Sequence, residues 1–212
     1  MTLISGTELA GRLGGPNLRI IDTRWSLGRP GAGREAYEAG HIPGAIHLDL
    51  DTDLSAPPGQ GAIGGLGRHP LPSPQAFAAR MAAAGIGDDD LVVAYDESDG
   101  GVAARLWWML DALGHERVAV LDGGWRAWQE AGLPVSTDPT TATDRPPARL
   151  RLAAAWPRTI ERRDLAERLG SVVLLDARAP ERYRGEIEPI DPLAGHIPTA
   201  RNSPLARNIG PD

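Results

Sequence analysis

The pentapeptide "AGHIP" occupies Ala39 to Pro43 and recurs at Ala194 to Pro198, which places its histidines at positions 41 and 196. Ahead of each copy stands a short apolar run closed by Asp-x-Arg, "LRIIDTRW" from Leu18 to Trp25 and "VVLLDARA" from Val172 to Ala179. Asp22 and Asp176 are 154 positions apart and the two histidines 155. The same order at nearly the same offset indicates a duplicated domain rather than chance.

The first copy alternates between strand and helix signals. Leu18 to Asp22 reads as a buried strand, and Ser73-Pro74 supplies an N-cap and an N1 proline for a helix running to about Ala84. "LVVAY" (Leu91 to Tyr95) is continuous in apolar character, as strands buried on both faces are. Val102, Leu106, Met109, Leu110 and Leu113 recur at helical spacing, and Gly114 stops that helix. "RVAVLDGG" then gives a strand and "WRAWQEAG" a helix. The expected fold is α/β, a parallel sheet flanked by helices, with the second copy incomplete. Residues 1–135 form the first domain, 136–156 a linker rich in proline and small polar residues, and 157–212 the opening of the second domain. There Thr159 to Leu169 is expected as a helix and Val172 to Asp176 as a strand. A second half of about 55 residues, against about 135 in the first, is too short for an independent core of the same kind.

Composition narrows the function classes. The net charge is −6 and no Lys/Arg block occurs, which argues against nucleic acid as a partner. No run of 18 apolar residues and no basic-plus-apolar leader at Met1 to Gly11 is present, so a cytoplasmic location without a membrane partner is expected. Cysteine is absent, which removes disulfides, thiolate metal sites and a thiol nucleophile from these 212 residues. "DLDTD" (Asp49 to Asp53) starts like a calcium loop, but Leu54 stands at its turn glycine and Gln60 at its bidentate glutamate. Asp96 after a buried strand could suggest a phosphoryl-accepting carboxylate; the second Asp that phosphatases of that kind need is replaced by Ser98.

"YEAGHIPGAIHL" (Tyr37 to Leu48) matches the rhodanese signature, and Tyr95 to Trp128 resembles the first domain of two-domain sulfurtransferases. "ERYRG" with "AGHIPTARNSP" resembles the start of their second domain. The chain is thereby identified as similar to the thiosulfate/3-mercaptopyruvate sulfurtransferase family. The resemblance implies two rhodanese domains, a monomer, no metal or organic cofactor, and catalysis by a cysteine of the second domain. That cysteine takes a sulfane sulfur from a small-molecule donor, becomes a persulfide and passes the sulfur to cyanide or a thiol. The resemblance leaves thiosulfate and 3-mercaptopyruvate both open as donors.

The resemblance also implies roles for particular residues. Asp96 stands where the second domain has its cysteine, so the first domain is the noncatalytic copy, and Asp96, Glu97 and Asp99 together would repel an anionic donor. Asp51 and His69 match residues that approach the active site of mercaptopyruvate-type enzymes, where an Asp orienting a His can support proton transfer. The alternative, with Asp51 capping a loop and His69 packing at a domain interface, carries equal weight. Arg182 matches the arginine that holds the donor's anionic group, a task suited to a planar fork, while Arg184 reads as a solvated charge. Ile190 stands where some mercaptopyruvate-type members carry a further arginine. His41 and His196 read as turn-holding rather than chemical, and Trp107, Trp108, Trp125 and Trp128 as packing residues. A noncatalytic binding module built on the same fold is the alternative reading.

Overall fold

A computed structural model describes residues 2–57, 67–97, 99–140 and 149–210. Gln60, Ser98 and residues 141–148 of the expected linker lie outside the described residues. The chain divides into two compact units, Met1–Thr159 and Ile160–Asp212.

The first unit carries β1 (Leu3–Ile4), α1 (Gly6–Ala10), β2 (Leu18–Asp22), α2 (Ala32–Ala39), β3 (Ala45–His47), α3 (Pro74–Ala83), β4 (Leu91–Tyr95), α4 (Gly101–Ala112), β5 (Val118–Leu121) and α5 (Gly124–Glu130). The strands form one sheet in the order β1-β5-β4-β2-β3, with every pairing parallel. Successive strand residues point to opposite faces, and here both faces are covered. Ile21, Val92 and Ala94 face one core with Phe77 and Met81 of α3 and Leu106, Met109 and Leu110 of α4. Ile20, Val93 and Tyr95 face a second core with Leu9 of α1, Tyr37 of α2, and Trp125 and Trp128 of α5. Two-sided burial is why these strands read as unbroken apolar runs.

The helix signals translate into bonds. Ser73 Oγ accepts the Ala76 N–H at 3.1 Å and Pro74 occupies the first turn of α3. Gly114 takes a left-handed φ of 101° just beyond α4, a conformation that costs glycine little. Trp125 and Trp128 are buried, and Trp107 and Trp108 pack against the core from its margin. The last described part of the expected linker is engaged rather than free. Leu150, Leu152 and Trp156 pack against the core, Trp156 Nε1 donates to Pro72 O at 2.7 Å, and its ring stacks on Trp108 with centroids 5.6 Å apart.

The second unit carries α6 (Arg162–Glu167), β6 (Leu175–Asp176), α7 (Pro180–Arg184), β7 (Arg201–Asn202) and a 3-10 turn at Leu205–Asn208. β6 and β7 form a two-stranded parallel sheet. Both α6 and β6 are shorter than the residues alone suggest. α6 buries no residue and β6 pairs on one side only, so neither gains the packing that extends an element. Among the described residues no helix is long and apolar enough to cross a membrane.

Candidate functional site

In the first unit β4 ends at Tyr95 and the chain turns at once into α4, which aims the first N–H groups of the helix at residue 96. Asp96 answers them with its own carboxylate. Oδ1 accepts from Gly100 N at 2.9 Å, and Oδ2 accepts from Val102 N at 3.0 Å and Ala103 N at 3.1 Å. This is an anion cradle at a helix N-terminus, filled by a side chain of the loop itself. Burial pushes the Asp96 carboxyl above the usual range, against the pull of the three N–H donors. Of the three acids in the loop, Asp96 therefore turns inward, and Asp99 accepts from Gly101 N at 2.9 Å. The loop backbone is clamped from the β5–α5 junction, where Trp125 N donates to Asp96 O and Arg126 N to Glu97 O. Gly124 makes that approach possible: its φ is +60° and a Cβ there would lie 2.7 Å from Asp96 O.

Beside this loop Asp22 and Arg24 form a buried staple. Arg24 Nη2 reaches Asp22 Oδ2 at 2.6 Å and also donates to Gly40 O, which ties the end of β2 to the AGHIP turn. Tyr95 OH donates to the same Asp22 oxygen at 2.7 Å, and the guanidinium lies 4.6 Å from the Trp125 ring centroid. His41 stacks on Tyr37 with centroids 3.9 Å apart, and its Nδ1 lies 2.7 Å from Tyr37 O and its Nε2 3.1 Å from Asp138 O. Both ring nitrogens thus face backbone carbonyls, an arrangement that holds a turn.

Asp51 and His69 meet in a second cluster. His69 Nδ1 lies 3.2 Å from Asp51 Oδ1 without the alignment of a hydrogen bond, and Trp25 Nε1 donates to Asp51 Oδ2 at 2.8 Å. The Trp25 and His69 rings sit edge to face at 5.3 Å. Burial pulls the His69 imidazole below its ordinary value, while the neighbouring Asp51 pulls it up. Arg105 of α4 fastens the loop, its Nη2 donating to Leu54 O at 3.0 Å and His69 O at 2.9 Å. Arg105 escapes a reading of the sequence because its partners are carbonyls, which leave no charge pattern; its position on the rim of an apolar helix is the one available signal.

In the second unit the framework repeats. Arg178 Nη2 reaches Asp176 Oδ2 at 2.7 Å and also binds Gly195 O, and His196 stacks on Tyr183 with centroids 3.8 Å apart. Arg182 donates from Nη2 to Glu188 Oε1 at 2.7 Å and to Asp191 Oδ2 at 3.0 Å. Arg184 pairs with Glu186 at the surface. Of the four candidate positions, then, Asp51 and His69 share a cluster, Asp96 heads α4, and Arg182 belongs to the second unit. Among the described residues no group of three or more His, Cys, Asp or Glu could hold a metal ion.

Comparison with known proteins places this geometry. Residues 5–131 match the rhodanese-like domain family. A Pseudomonas aeruginosa protein described as a probable 3-mercaptopyruvate sulfurtransferase is 43% identical over 99% of this chain and 73% of its own length. The human 3-mercaptopyruvate sulfurtransferase is 39% identical over 92% of this chain and 65% of its own. The solved 3-mercaptopyruvate sulfurtransferase from Leishmania major superposes with a TM-score of 0.79 at 30% identity, covering 96% of this chain and 54% of that one.

Proposed function

The chain belongs to the rhodanese family of sulfurtransferases, and on that footing we propose that its two units are the first domain and the opening of the second domain of a two-domain sulfurtransferase. The reaction moves a sulfur atom from thiosulfate or 3-mercaptopyruvate to a cysteine, where it becomes the sulfane sulfur of a persulfide as sulfite or the pyruvate enolate leaves, and on to cyanide or a thiol. With no cysteine among these 212 residues, the chain by itself is inactive, and the nucleophile comes from residues other than these.

In this reading Arg182 holds the donor's carboxylate or sulfonate with its planar fork. Asp51 orients His69, and burial keeps the imidazole neutral near pH 7, so that it can accept a proton and return it to the departing pyruvate enolate. Asp96 makes the first domain noncatalytic, because a carboxylate cannot carry sulfane sulfur. The observation that carries the reading is the Asp-x-Arg and AGHIP framework, built twice with matching bonds. A cytoplasmic monomer acting on small molecules completes the proposal.

The test is the intact mass of the native protein, its thiol titre and its rate of thiocyanate formation from cyanide with each donor. A mass of about 30 kDa, as a completed second domain needs, one reactive thiol and turnover are expected. A second reading, a noncatalytic binding module, draws on the absent cysteine and on the self-filled cradle at Asp96. A native mass of 22.5 kDa with no thiol and no turnover would select it.

A further inference from the structure

The second copy of the framework holds something that the first lacks. Four positions separate Tyr37 from His41, but thirteen separate Tyr183 from His196, so nine extra residues lie between helix and turn. Those residues supply Glu188 and Asp191, and both carboxylates bind Arg182. Ahead of the stacked tyrosine, Arg182 corresponds to Ala36 of the first copy. The long loop and the arginine occur together in one copy and are both missing from the other.

The two carboxylates are held differently. The Glu188 side chain is 5% exposed. Its Oε1 accepts from Arg182 Nη2 at 2.7 Å and from the backbone N–H groups of Ile190 at 3.1 Å and Asp191 at 3.0 Å. Its Oε2 accepts from Arg182 Nε at 3.3 Å and faces Arg178 Nη1 at 3.5 Å. Glu188 thus fixes both the loop backbone and the guanidinium plane. The Asp191 side chain, by contrast, is 47% exposed and meets Nη2 of Arg182 at 3.0 Å.

We propose that this loop is a latch on Arg182: Glu188 is a positioning residue that aims the guanidinium, and Asp191 is a built-in carboxylate that an anionic sulfur donor displaces. The proposal rests on the reading of Arg182 as the donor-binding residue. Exchange of Asp191 for a donor carboxylate replaces one anion by another of the same charge and shape, so the guanidinium is never left without a partner. Glu188 stays in place throughout, because its backbone bonds hold it whether or not a donor is present. The latch makes Arg182 selective for anions that can compete with a carboxylate.

The test is titration of the complete native protein with pyruvate, a carboxylate that carries no transferable sulfur, read by calorimetry and by the Arg182 Nε–H resonance. Arg182→Gln defines the site and should abolish binding. Asp191→Asn should tighten it about two- to fivefold, the range that an exposed ion pair is worth. Glu188→Gln should weaken it, and so should Glu188→Asp, which keeps the charge but shortens the reach. Opposite signs at 191 and 188 are the diagnostic result, since a loop acting through net charge alone would tighten binding in both Asn and Gln variants. Equal signs overturn the latch and leave Arg182 as the donor site. Binding that survives Arg182→Gln, or is absent from wild type and Asp191→Asn alike, overturns that site and the latch with it.

Discussion

Arg24 binds Asp22 and Gly40 O in the first unit, and Arg178 binds Asp176 and Gly195 O in the second. Tyr37 stacks on His41 and donates its hydroxyl to Ala45 O; Tyr183 stacks on His196 and donates to Ala200 O. The bonds coincide, but the surroundings do not. Ile21 before the first Asp is fully buried, whereas Leu175 before the second is 60% exposed. β2 has β4 on one side and β3 on the other, while β6 has β7 alone. The framework is therefore set locally, by the residues of strand, helix and turn, and it takes the same form beside a five-stranded sheet and beside a two-stranded one. Burial is a separate property, conferred by neighbouring strands and the helices that cover them.

The largest expected difference lies in the staples. Arg24→Ala leaves Asp22 buried without its partner and should cost about 3–5 kcal/mol in urea unfolding. Arg178→Ala, at a partly exposed pair, should cost no more than about 1 kcal/mol, read through hydrogen exchange at the Arg201 and Ser203 amides, which donate to Leu174 O and Asp176 O. Similar losses at the two sites would mean that burial does not distinguish the copies.

Next comes the cradle, which in the described residues only the first unit displays. Asp96→Ala orphans three N–H groups and should cost roughly 1–3 kcal/mol. Asp96→Cys should instead yield a thiol that titrates above the ordinary value of about 8.5 of a free cysteine, since the burial that raises the Asp96 carboxyl outweighs the pull of the N–H donors there; absorbance of the thiolate measures it. A thiol that titrates below that value would show that the N–H donors outweigh burial at this position.

A smaller effect separates His47 from Asn202, which occupy the same register position beside Asp22 and Asp176. Burial lowers the His47 pKa, so the folded state holds fewer protons than the unfolded chain once pH drops to about 6.5. Stability contributed by the neutral ring is then lost as pH falls from about 6.5 toward the folded value. Unfolding of wild type at pH 7.5 and 5.5 should show this loss, with part of it removed in His47→Asn; an unchanged slope would clear His47 of any part in it. Smallest of all, Arg12→Ala breaks an exposed pair with Glu8 on α1 and should change stability by less than about 0.5 kcal/mol.

The sheet of the first unit is legible because β2, β4 and β5 are apolar on both faces and α4 keeps its spacing over three turns. β1 has two residues, too few for a pattern, and α2 marks its buried face with only Gly33 and Tyr37 between charged positions. Asp-x-Arg advertises the staple, since the two charges stand two residues apart, and AGHIP advertises the turn. Tyr95 does not announce its bond to Asp22, because a tyrosine ending an apolar strand looks like any other core aromatic. Asp96 is visible as an oddity of position, yet its inward turn depends on amides presented by α4. In the second unit, Val172 to Asp176 reads as a five-residue strand, but among the described residues only Leu175–Asp176 pairs, because an apolar run does not set where pairing with β7 begins.

β1 joins the sheet at β5, with Leu3 opposite Val120 and Ile4 opposite Leu121. On a ribosome, the two residues of this edge strand must thus wait for a partner made more than a hundred residues later. At about 5–20 residues per second, that interval is roughly 6–25 s. The inner strands, β2 and β4, can pair well before then. Closure of the first unit is accordingly timed by its fifth strand, and a pause in translation shortly after residue 121 would lengthen the period available for β1 to dock.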